Sequence, residues 1–226
     1  MPSLISKSLT TSNANNTLAT VGNVITLYFQ ADVAIYLPSV DFDLSGTSMI
    51  SAPFNVDGGQ GKSWLTNFTV TSETPDCNVS YTITYQVDSN SYSDSGDGVT
   101  IDKTASLLSS ITFTSDHTNT AFAKAQNTIT LAFTSNEPIQ DPPTITFDIS
   151  GSPIHNDTID ISNTSDNNWT ASFDVSSVLH SDGMVSYNLS VKDEVGNITD
   201  LSGDGVTIDL IKPEIFDISF TSTNQY

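Results

Sequence analysis

Apolar side chains in this chain recur at every second position over short segments, which is the spacing of strands with one buried face. Clusters of Gly, Pro, Asn, Asp and Ser separate these segments, as turns do. No stretch has the spacing of a helix. The pattern predicts an all-β fold, with a seven-stranded antiparallel β-sandwich in the first half of the chain. Its segments are Leu4–Thr11, Ile25–Phe29, Val40–Leu44, Ile50–Val56, Trp64–Val70, Val79–Val87 and Val99–Ile101.

One stretch of the sequence occurs twice. Ser95–Asp102 recurs without change as Ser202–Asp209, at an offset of 202 − 95 = 107 positions. Self-similarity at a fixed period is typical of arrays of like units. We interpret each copy as a Gly-Asp-Gly turn followed by a short strand. This strand is the last of its unit, and the next unit begins after it.

The rest of the second half repeats the first in the same order, and Ile129–Phe133 matches Ile25–Phe29. We therefore expect two tandem sandwiches, residues 1–103 and 104–210. Residues 211–226 are expected to begin a third repeat with its first strand, or to form a terminal extension. Met1 coincides with a unit boundary, so we expect the chain to be a piece of a longer protein.

The charge balance excludes some partners. The chain has 6 lysines and no arginine against 26 acidic residues, which gives a net charge of −20. Such a surface repels nucleic acid and anionic lipid. No apolar run is long enough to span a bilayer, so we expect no direct membrane insertion. Cys77 is the only cysteine and has no intrachain disulfide partner, which does not exclude secretion.

Several segments together resemble the bacterial-type immunoglobulin-like repeats of large cell-surface proteins and adhesins. The resemblance implies a β-sandwich fold and a location outside the cell, in a stalk, adhesin or surface filament, without enzymatic activity. The first unit departs from the pattern, because it has Ala31–Ile35 where the second has Ser135–Ile139, and it lacks the Gly-Asn of the loop between the sixth and seventh strands. The segments that carry the resemblance are Ser12–Leu27, Val99–Ala105, Phe133–Ile139 and Asp193–Asn197.

Acidic residues are expected to gather where the two units join. In a seven-stranded sandwich the chain entry and three of the loops share one end. Calcium binds six to eight oxygens in flexible geometry, so these carboxylates form a candidate calcium site. The alternative is a solvated acidic rim in which Asp193 and Asn197 only form turns. The predicted ligands are Asp102, Glu137, Asp141, Asp193 and Glu194.

Asn-x-Ser/Thr triplets, the acceptor sites for N-linked glycans, are frequent in this chain. A sequence rich in Asn, Ser and Thr produces several of them by chance. We expect some to be occupied if the source organism glycosylates asparagine. The candidates are Asn15, Asn67, Asn78, Asn156, Asn163, Asn168, Asn188 and Asn197.

The motifs of common enzymes are not present. His117, His155 and His180 fall in predicted loops and share no spacing with a nucleophile. We therefore predict no enzyme and no cofactor other than the candidate calcium. The leading hypothesis is a structural or adhesive module that holds a distal or neighbouring element away from the cell, with neighbouring repeats or identical subunits as partners.

Two alternatives remain open. The first is a module that binds a surface glycan or a protein receptor, with Tyr36, Tyr92 and Tyr226 as the aromatic candidates outside the strand pattern. The second is a filament subunit, assembled end to end or by donating Glu214–Ser222 to the sheet of a neighbour. The first unit already has a first strand, which weighs against donation.

Overall fold

The computed structural model describes residues 2–140, 142–154 and 158–223, which form two compact units. The first unit contains the residues up to Leu107 together with Glu137–Gln140 and Val191–Thr199. The second contains most of the remaining residues, from Leu108 onward. No helix within the described ranges is long and apolar enough to cross a membrane.

The first sandwich consists of two sheets, with strand orders β1-β3-β7-β6 and β2-β9-β8-β4-β5. Neighbouring strands run antiparallel except β2 and β9, which are parallel. The strands are β1 (Leu4–Thr11), β2 (Leu18–Ala19), β3 (Val24–Ala31), β4 (Tyr36–Leu44), β5 (Thr47–Ser51), β6 (Phe54–Asn55), β7 (Ser63–Thr69), β8 (Cys77–Val87) and β9 (Asn90–Ile101).

The apolar face of each strand points into one shared core. In β3, Ile25, Leu27 and Phe29 are fully buried, and the residues between them are partly exposed. Buried side chains from both sheets belong to the same cluster, such as Phe29 of one sheet and Phe42 of the other. Burial of this apolar area is the main favourable contribution to folding. The all-β sandwich predicted from the alternation is confirmed.

The second sandwich repeats the same order of strands. Its sheets have the orders β10-β12-β16-β15 and β11-β18-β17-β13-β14. The strands are β10 (Leu108–Ser115), β11 (Phe122–Ala123), β12 (Thr128–Ser135), β13 (Thr144–Ile149), β14 (Ser152–Pro153), β15 (Asp160–Ser165), β16 (Asn168–Asp174), β17 (Gly183–Lys192) and β18 (Ile198–Ile208).

Aromatic rings join the two sheets of the second sandwich. Phe147 lies 5.8 Å from Phe113 and 5.1 Å from Phe173, measured between ring centroids, and Phe113 lies 5.1 Å from Tyr187. These are the offset and edge-to-face distances that aromatic pairs favour. In the first sandwich, Phe42 and Phe68 pair in the same way at 5.0 Å.

The repeated Ser-Gly-Asp-Gly stretch is not a turn, and this part of the sequence interpretation is wrong. It lies inside β9 and again inside β18. In β9 the register shifts at this point, since Val79 pairs with Val99 but Ser80 pairs with Asp97. Gly98 is the extra residue, and its φ of 145° is a value that favours glycine. The glycines therefore form a β-bulge in a continuous strand.

The other glycine of the motif makes room for an aromatic ring. Gly96 lies opposite Tyr81 across the β8–β9 pair, and a Cβ added there would lie 2.6 Å from the tyrosine oxygen. Gly203 and Tyr187 repeat this arrangement at the same 2.6 Å. Tyr81 and Tyr187 are both buried, so each ring lies over a glycine. The Ser-Gly-Asp-Gly stretch is present in both units because each of these tyrosine rings needs a glycine opposite it.

Two short strands were not predicted, and the predicted segment Ile50–Val56 contains the end of β5 and all of β6, which lie in different sheets. β2 and β11 each contain two residues and pair in parallel with the closing strands β9 and β18. A strand of two residues is too short to show the alternation of apolar and polar positions that predicts strands. Residues 211–223, the described part of the segment expected to begin a third repeat, form no strand.

We expect Gly96→Ala to destabilise the first sandwich by about 1–3 kcal/mol, the usual cost of overpacking a core. The added methyl group would collide with the buried ring of Tyr81. For a domain of about 100 residues this cost lowers the melting temperature by several degrees. Thermal melting followed by circular dichroism measures the change.

Ser95→Ala, which alters an exposed neighbour on the same strand, is the matched control and should leave the melting temperature unchanged. In a Tyr81→Leu background the ring is absent, so adding Gly96→Ala should cost much less than it does in the parent chain. Equal destabilisation by Gly96→Ala in both backgrounds would show that a clash with the ring of Tyr81 is not the cause.

Candidate functional site

Three carboxylates meet within the first compact unit. Asp102, Glu137 and Asp193 each contribute a carboxylate oxygen, and the three oxygens lie within 4.8 Å of one another. Asp102 directly follows β9, Glu137 lies two residues after β12, and Asp193 directly follows β17. Ile139 pairs with Asp193 in an isolated antiparallel bridge, which holds the last two segments side by side.

Asp193 is only 1% exposed, and backbone amides surround its carboxylate. Its Oδ1 accepts hydrogen bonds from the N–H groups of Val195, Gly196 and Asn197, at 2.9, 2.7 and 2.9 Å. A buried carboxylate is costly unless it is hydrogen-bonded, and bonds to an ionised acceptor are strong. The carboxylate therefore determines the shape of the loop Asp193–Asn197.

The side chain of Asn197 connects this loop to other segments of the first unit. Its Nδ2 donates to Asp193 Oδ2 at 2.7 Å and to the carbonyl oxygen of Asp102 at 3.2 Å. Its Oδ1 accepts a hydrogen bond from Thr20 Oγ1 at 2.7 Å. An asparagine amide has both donors and acceptors, which this position requires.

Two further contacts hold the same loop and the strand that follows it. Asn13 Nδ2 donates to the carbonyl oxygen of Val195 at 2.9 Å, and Thr199 Oγ1 donates to that of Ser106 at 2.6 Å. We name the loop Asp193–Asn197 and its partners Asn13, Thr20 and Asp102 the carboxylate–amide clasp. The clasp brings together residues that are far apart in sequence.

The surroundings of Glu137 disfavour its ionised form. Burial raises the pKa of its carboxyl above the ordinary glutamate value, and the negative charges of Asp102, Asp193 and Glu194 add to the shift, while the Ser106 hydroxyl acts in the opposite direction. A divalent cation among the carboxylates would remove the repulsion. The cluster can therefore act chemically as a cation ligand.

Of the five predicted metal ligands, Asp102, Glu137 and Asp193 lie together. Glu194 is exposed and lies outside this group of three, although its charge reaches Glu137. Asp141 lies outside the described residues. Asp193 Oδ2 accepts one bond within the described part of the chain, from Asn197, and so has lone-pair capacity left for a cation.

The cluster fits calcium in type of ligand. Calcium prefers carboxylate oxygens and completes its coordination with backbone carbonyls and water. Three carboxylates supply three oxygen ligands if each binds through one oxygen, and more if one of them is bidentate. The same geometry is compatible with the turn-forming role, since the Oδ1 atom of Asp193 already serves the loop backbone.

The predicted glycosylation sites differ in accessibility. Asn197 is half-buried and its Nδ2, the atom a glycan would modify, takes part in the clasp. Asn156 lies outside the described residues. The exposed asparagines are Asn15, Asn67, Asn78, Asn163, Asn168 and Asn188.

The three candidate binding tyrosines also differ. Tyr36 is 62% exposed and borders an open cleft of about 500 Å³ whose lining includes Asp32 and Asp88. Tyr92 is half-buried and stacks on Tyr85, with ring centroids 5.7 Å apart. Tyr226 lies outside the described residues. Of the three, Tyr36 has the exposure that ligand stacking requires.

The histidines support local turns. The N–H of Asn119 donates to His117 Nδ1 at 3.1 Å, and the N–H of Ser176 donates to His180 Nδ1 at 3.1 Å. Burial lowers the pKa of His180, so its imidazole favours the neutral form. His155 lies outside the described residues.

Sequence reasoning missed Asn13 and Thr20, which contact the loop, and Thr199, which holds the strand that follows it. Thr20 and Asn197 are 177 positions apart in sequence. Polar residues of these types are common in the chain, and nothing in their spacing distinguishes these three. Only the folded backbone brings them together.

Comparison with known proteins identifies the fold. An I-band fragment of titin, I67–I69, matches with a TM-score of 0.50 and 9% identity over 92% of this chain and 65% of that one. At this identity the likeness shows the fold alone, which is that of tandem immunoglobulin-like domains. The predicted fold class is confirmed, whereas the bacterial-type assignment stays a prediction.

Other tandem immunoglobulin structures match at lower TM-scores. A chimeric titin Z1Z2–Z1Z2 tandem gives 0.31 with 13% identity over 94% of this chain and 100% of that chain. The Ig1–2 module of the Drosophila receptor protein tyrosine phosphatase DLAR gives 0.28 with 14% identity over 92% and 99%. No protein-family model matches the sequence. No curated protein matches it either.

Glu137→Gln should stabilise the first unit at pH 7 in the presence of a chelator. The folded-state pKa of Glu137 is raised, so its ionised form costs stability as the pH rises through that pKa. Below about pH 4 the carboxyl is protonated in both the folded and the unfolded state, and the advantage of the variant should vanish. Melting temperatures measured from pH 3.5 to 7.5 test this dependence.

Glu194→Gln is the matched control, because it removes the same charge from an exposed neighbour. It should give a smaller change across the same pH range. An advantage of Glu137→Gln that is constant with pH, or equal to that of Glu194→Gln, would refute the assignment.

Proposed function

We propose that this chain is a non-catalytic segment of an extracellular repeat array, such as a stalk, adhesin or surface filament. The observation that carries the proposal is the duplication of one sandwich, with the same strand order and the same tyrosine-over-glycine packing in each copy. Repeated rigid units give a chain length without requiring a catalytic site. A segment of this kind keeps a distal or neighbouring element away from the cell surface.

The surface chemistry is consistent with an extracellular location. A net charge of −20 keeps an exposed module soluble and discourages self-association. Six of the candidate glycosylation asparagines are exposed and could carry glycans without disturbing the core. Neighbouring repeats and identical subunits are the partners that this role requires.

A second candidate function is recognition of a glycan or a protein receptor through Tyr36. An exposed tyrosine beside a cleft with two carboxylates can stack on a sugar ring and accept hydrogen bonds from its hydroxyls. A glycan array probed with the chain and with Tyr36→Ala separates this function from that of a passive spacer. Binding that depends on Tyr36 would support recognition.

Single-molecule stretching tests the spacer function. A chain pulled from both ends should show two separate unfolding events, because each sandwich has its own core. Each event should release about 300 Å, since about 100 residues extend by roughly 3.3–3.6 Å each. Gly96→Ala should lower the force of one event and leave the other unchanged. Extension without a force-bearing event would argue against a mechanical role.

We also propose that the three clustered carboxylates bind calcium and stiffen the first unit. The support is their proximity, within 4.8 Å, and the raised pKa of Glu137. Binding to the folded state alone raises stability by about 2.7 kcal/mol at a calcium concentration 100 times the Kd.

Calcium should raise the melting temperature of the first unit, and a chelator should reverse the change. Glu137→Gln should reduce the response strongly, because it removes a ligand, while the control Glu194→Gln should retain it. A Trp169→Phe background leaves Trp64 as the fluorescent reporter of the first unit. An unchanged melting temperature with and without calcium would disprove metal binding.

A further inference from the structure

His180 closes the turn that follows β16 in the second sandwich. The N–H of Ser176 donates to Nδ1 of the His180 ring at 3.1 Å, and the N–H of His180 donates to the carbonyl oxygen of Ser176 at 3.0 Å. The hydroxyl oxygen of Ser176 accepts two more bonds, from the N–H groups of Val178 and Leu179, at 3.2 and 3.3 Å. The turn therefore depends on the reciprocal pair of Ser176 and His180.

The first sandwich closes the equivalent turn with a different side chain. Val70 and Val175, which precede the two turns, each donate their N–H to an asparagine carbonyl oxygen at 2.8 Å. After Val70, the N–H of Thr71 donates to Thr74 Oγ1 at 3.0 Å, and the N–H of Thr74 donates to the carbonyl oxygen of Thr71 at 3.2 Å. The same backbone N–H is thus bound by a hydroxyl in one unit and by an imidazole in the other.

The imidazole titrates near neutral pH, whereas the hydroxyl does not. Because Nδ1 of His180 accepts a hydrogen bond, the neutral ring carries its proton on Nε2. Protonation adds a second N–H at Nδ1, opposite the N–H of Ser176, and two donors cannot bond to each other. In the described part of the chain no carbonyl oxygen lies within hydrogen-bond distance of this Nδ1, so protonation removes the bond that closes the turn.

The ring of His180 lies in largely apolar surroundings. Its centroid is 5.5 Å from that of the buried Phe173, in an edge-to-face arrangement. The ring also lines a cavity of about 160 Å³. Of the other described residues around this cavity, four are apolar and three carry hydroxyl groups. An imidazolium gains no charged partner from them.

The charged side chains on the elements around His180 are carboxylates, since residues 142–183 contain no lysine. The carboxylates of Asp148, Asp174 and Asp182 accept hydrogen bonds from other groups, and that of Asp160 is exposed on β15. Burial lowers the pKa of His180 without a contribution from any of these four charges. His155 and Asp157 lie outside the described residues.

We propose that His180 makes the second sandwich sensitive to pH. Protonation of its imidazole releases the turn of residues 176–182 from the core, whereas the turn that Thr74 closes in the first sandwich does not respond. Acidification then loosens one unit of the chain and leaves the equivalent turn of the other closed. The inference does not depend on the spacer function, because it rests on the two turns alone.

The direction of the effect follows from the linkage between protonation and folding. The folded-state pKa of His180 lies below that of an unfolded histidine, which is about 6.5. The unfolded chain therefore takes up the proton first as the pH falls. The stability that the neutral ring contributes is present above about pH 6.5 and is lost as the pH falls below it.

The first test is thermal unfolding of the full chain at pH 7.5 and at pH 5.0. In a Trp64→Phe background, the buried Trp169 of β16 is the fluorescent reporter of the second sandwich. Its melting temperature should be several degrees lower at pH 5.0. His180→Asn should abolish most of this difference, because the asparagine Oδ1 takes the place of Nδ1 and accepts the same N–H without titrating.

His117→Asn is the matched control and should keep the pH response of the parent. His117 also accepts a backbone N–H at Nδ1, from Asn119 at 3.1 Å. The carbonyl oxygen of Asn119 lies 3.2 Å from the same nitrogen, so the protonated ring of His117 has an acceptor in place. A background with His155→Gln and Asp157→Asn, which removes the titratable side chains of residues 155–157, should keep the response as well.

The second test measures the bond itself by hydrogen exchange of the Ser176 amide. Its protection factor, corrected for the intrinsic pH dependence of exchange, should fall between pH 7.5 and pH 5.0. The protection factor of the Thr71 amide, whose acceptor is the hydroxyl of Thr74, should stay constant. In His180→Asn, both protection factors should stay constant.

A difference in melting temperature that persists in His180→Asn would overturn the proposal. A difference that disappears in His117→Asn, or in the background altered at residues 155 and 157, would overturn it equally, because another group would then cause the response. Constant protection of the Ser176 amide across the same pH range would also refute it, since the turn would have stayed closed.

Discussion

The close approach of a tyrosine ring to a glycine underlies the structure of each sandwich. Tyr81 lies over Gly96 and Tyr187 over Gly203, so the longest hairpin of each unit can stay flat against its core. A side chain at either glycine would push the ring out of the space between the sheets. Because the ring of Tyr187 also contacts Phe113, the constraint extends from the closing strand to the first strand.

Much of the fold could be predicted because apolar and polar residues alternate along a strand that has one buried face. The segment Ile25–Phe29 shows this pattern in the sequence, and its odd positions are fully buried. The bulge at Gly98 could not be predicted, since Gly-Asp-Gly has the composition of a turn. The distinction depends on the partner strand, whose tyrosine requires the glycine, and a local pattern does not contain that information.

The candidate site was predictable only in part. Topology placed Asp102, Glu137 and Asp193 at a common end, since strand ends and loops cluster in a sandwich. The hydrogen bonds that shape the loop were not predictable, because Asn197 selects its partners from segments far apart in sequence. Glu194 shows why the sequence alone could not define the cluster. Glu194 lies in the turn that follows Asp193, where its side chain faces solvent while that of Asp193 is buried.

The first strand differs between the two sandwiches. It lies at the edge of its sheet, contacting one neighbouring strand in that sheet, and β1 contributes Leu9 where β10 contributes Phe113. The framework of Phe42, Phe68 and Tyr81 is equivalent to that of Phe147, Phe173 and Tyr187, whereas the first strand contributes a leucine to one core and a phenylalanine to the other. A repeat built this way keeps its aromatic framework constant while the side chain that the first strand adds to it changes.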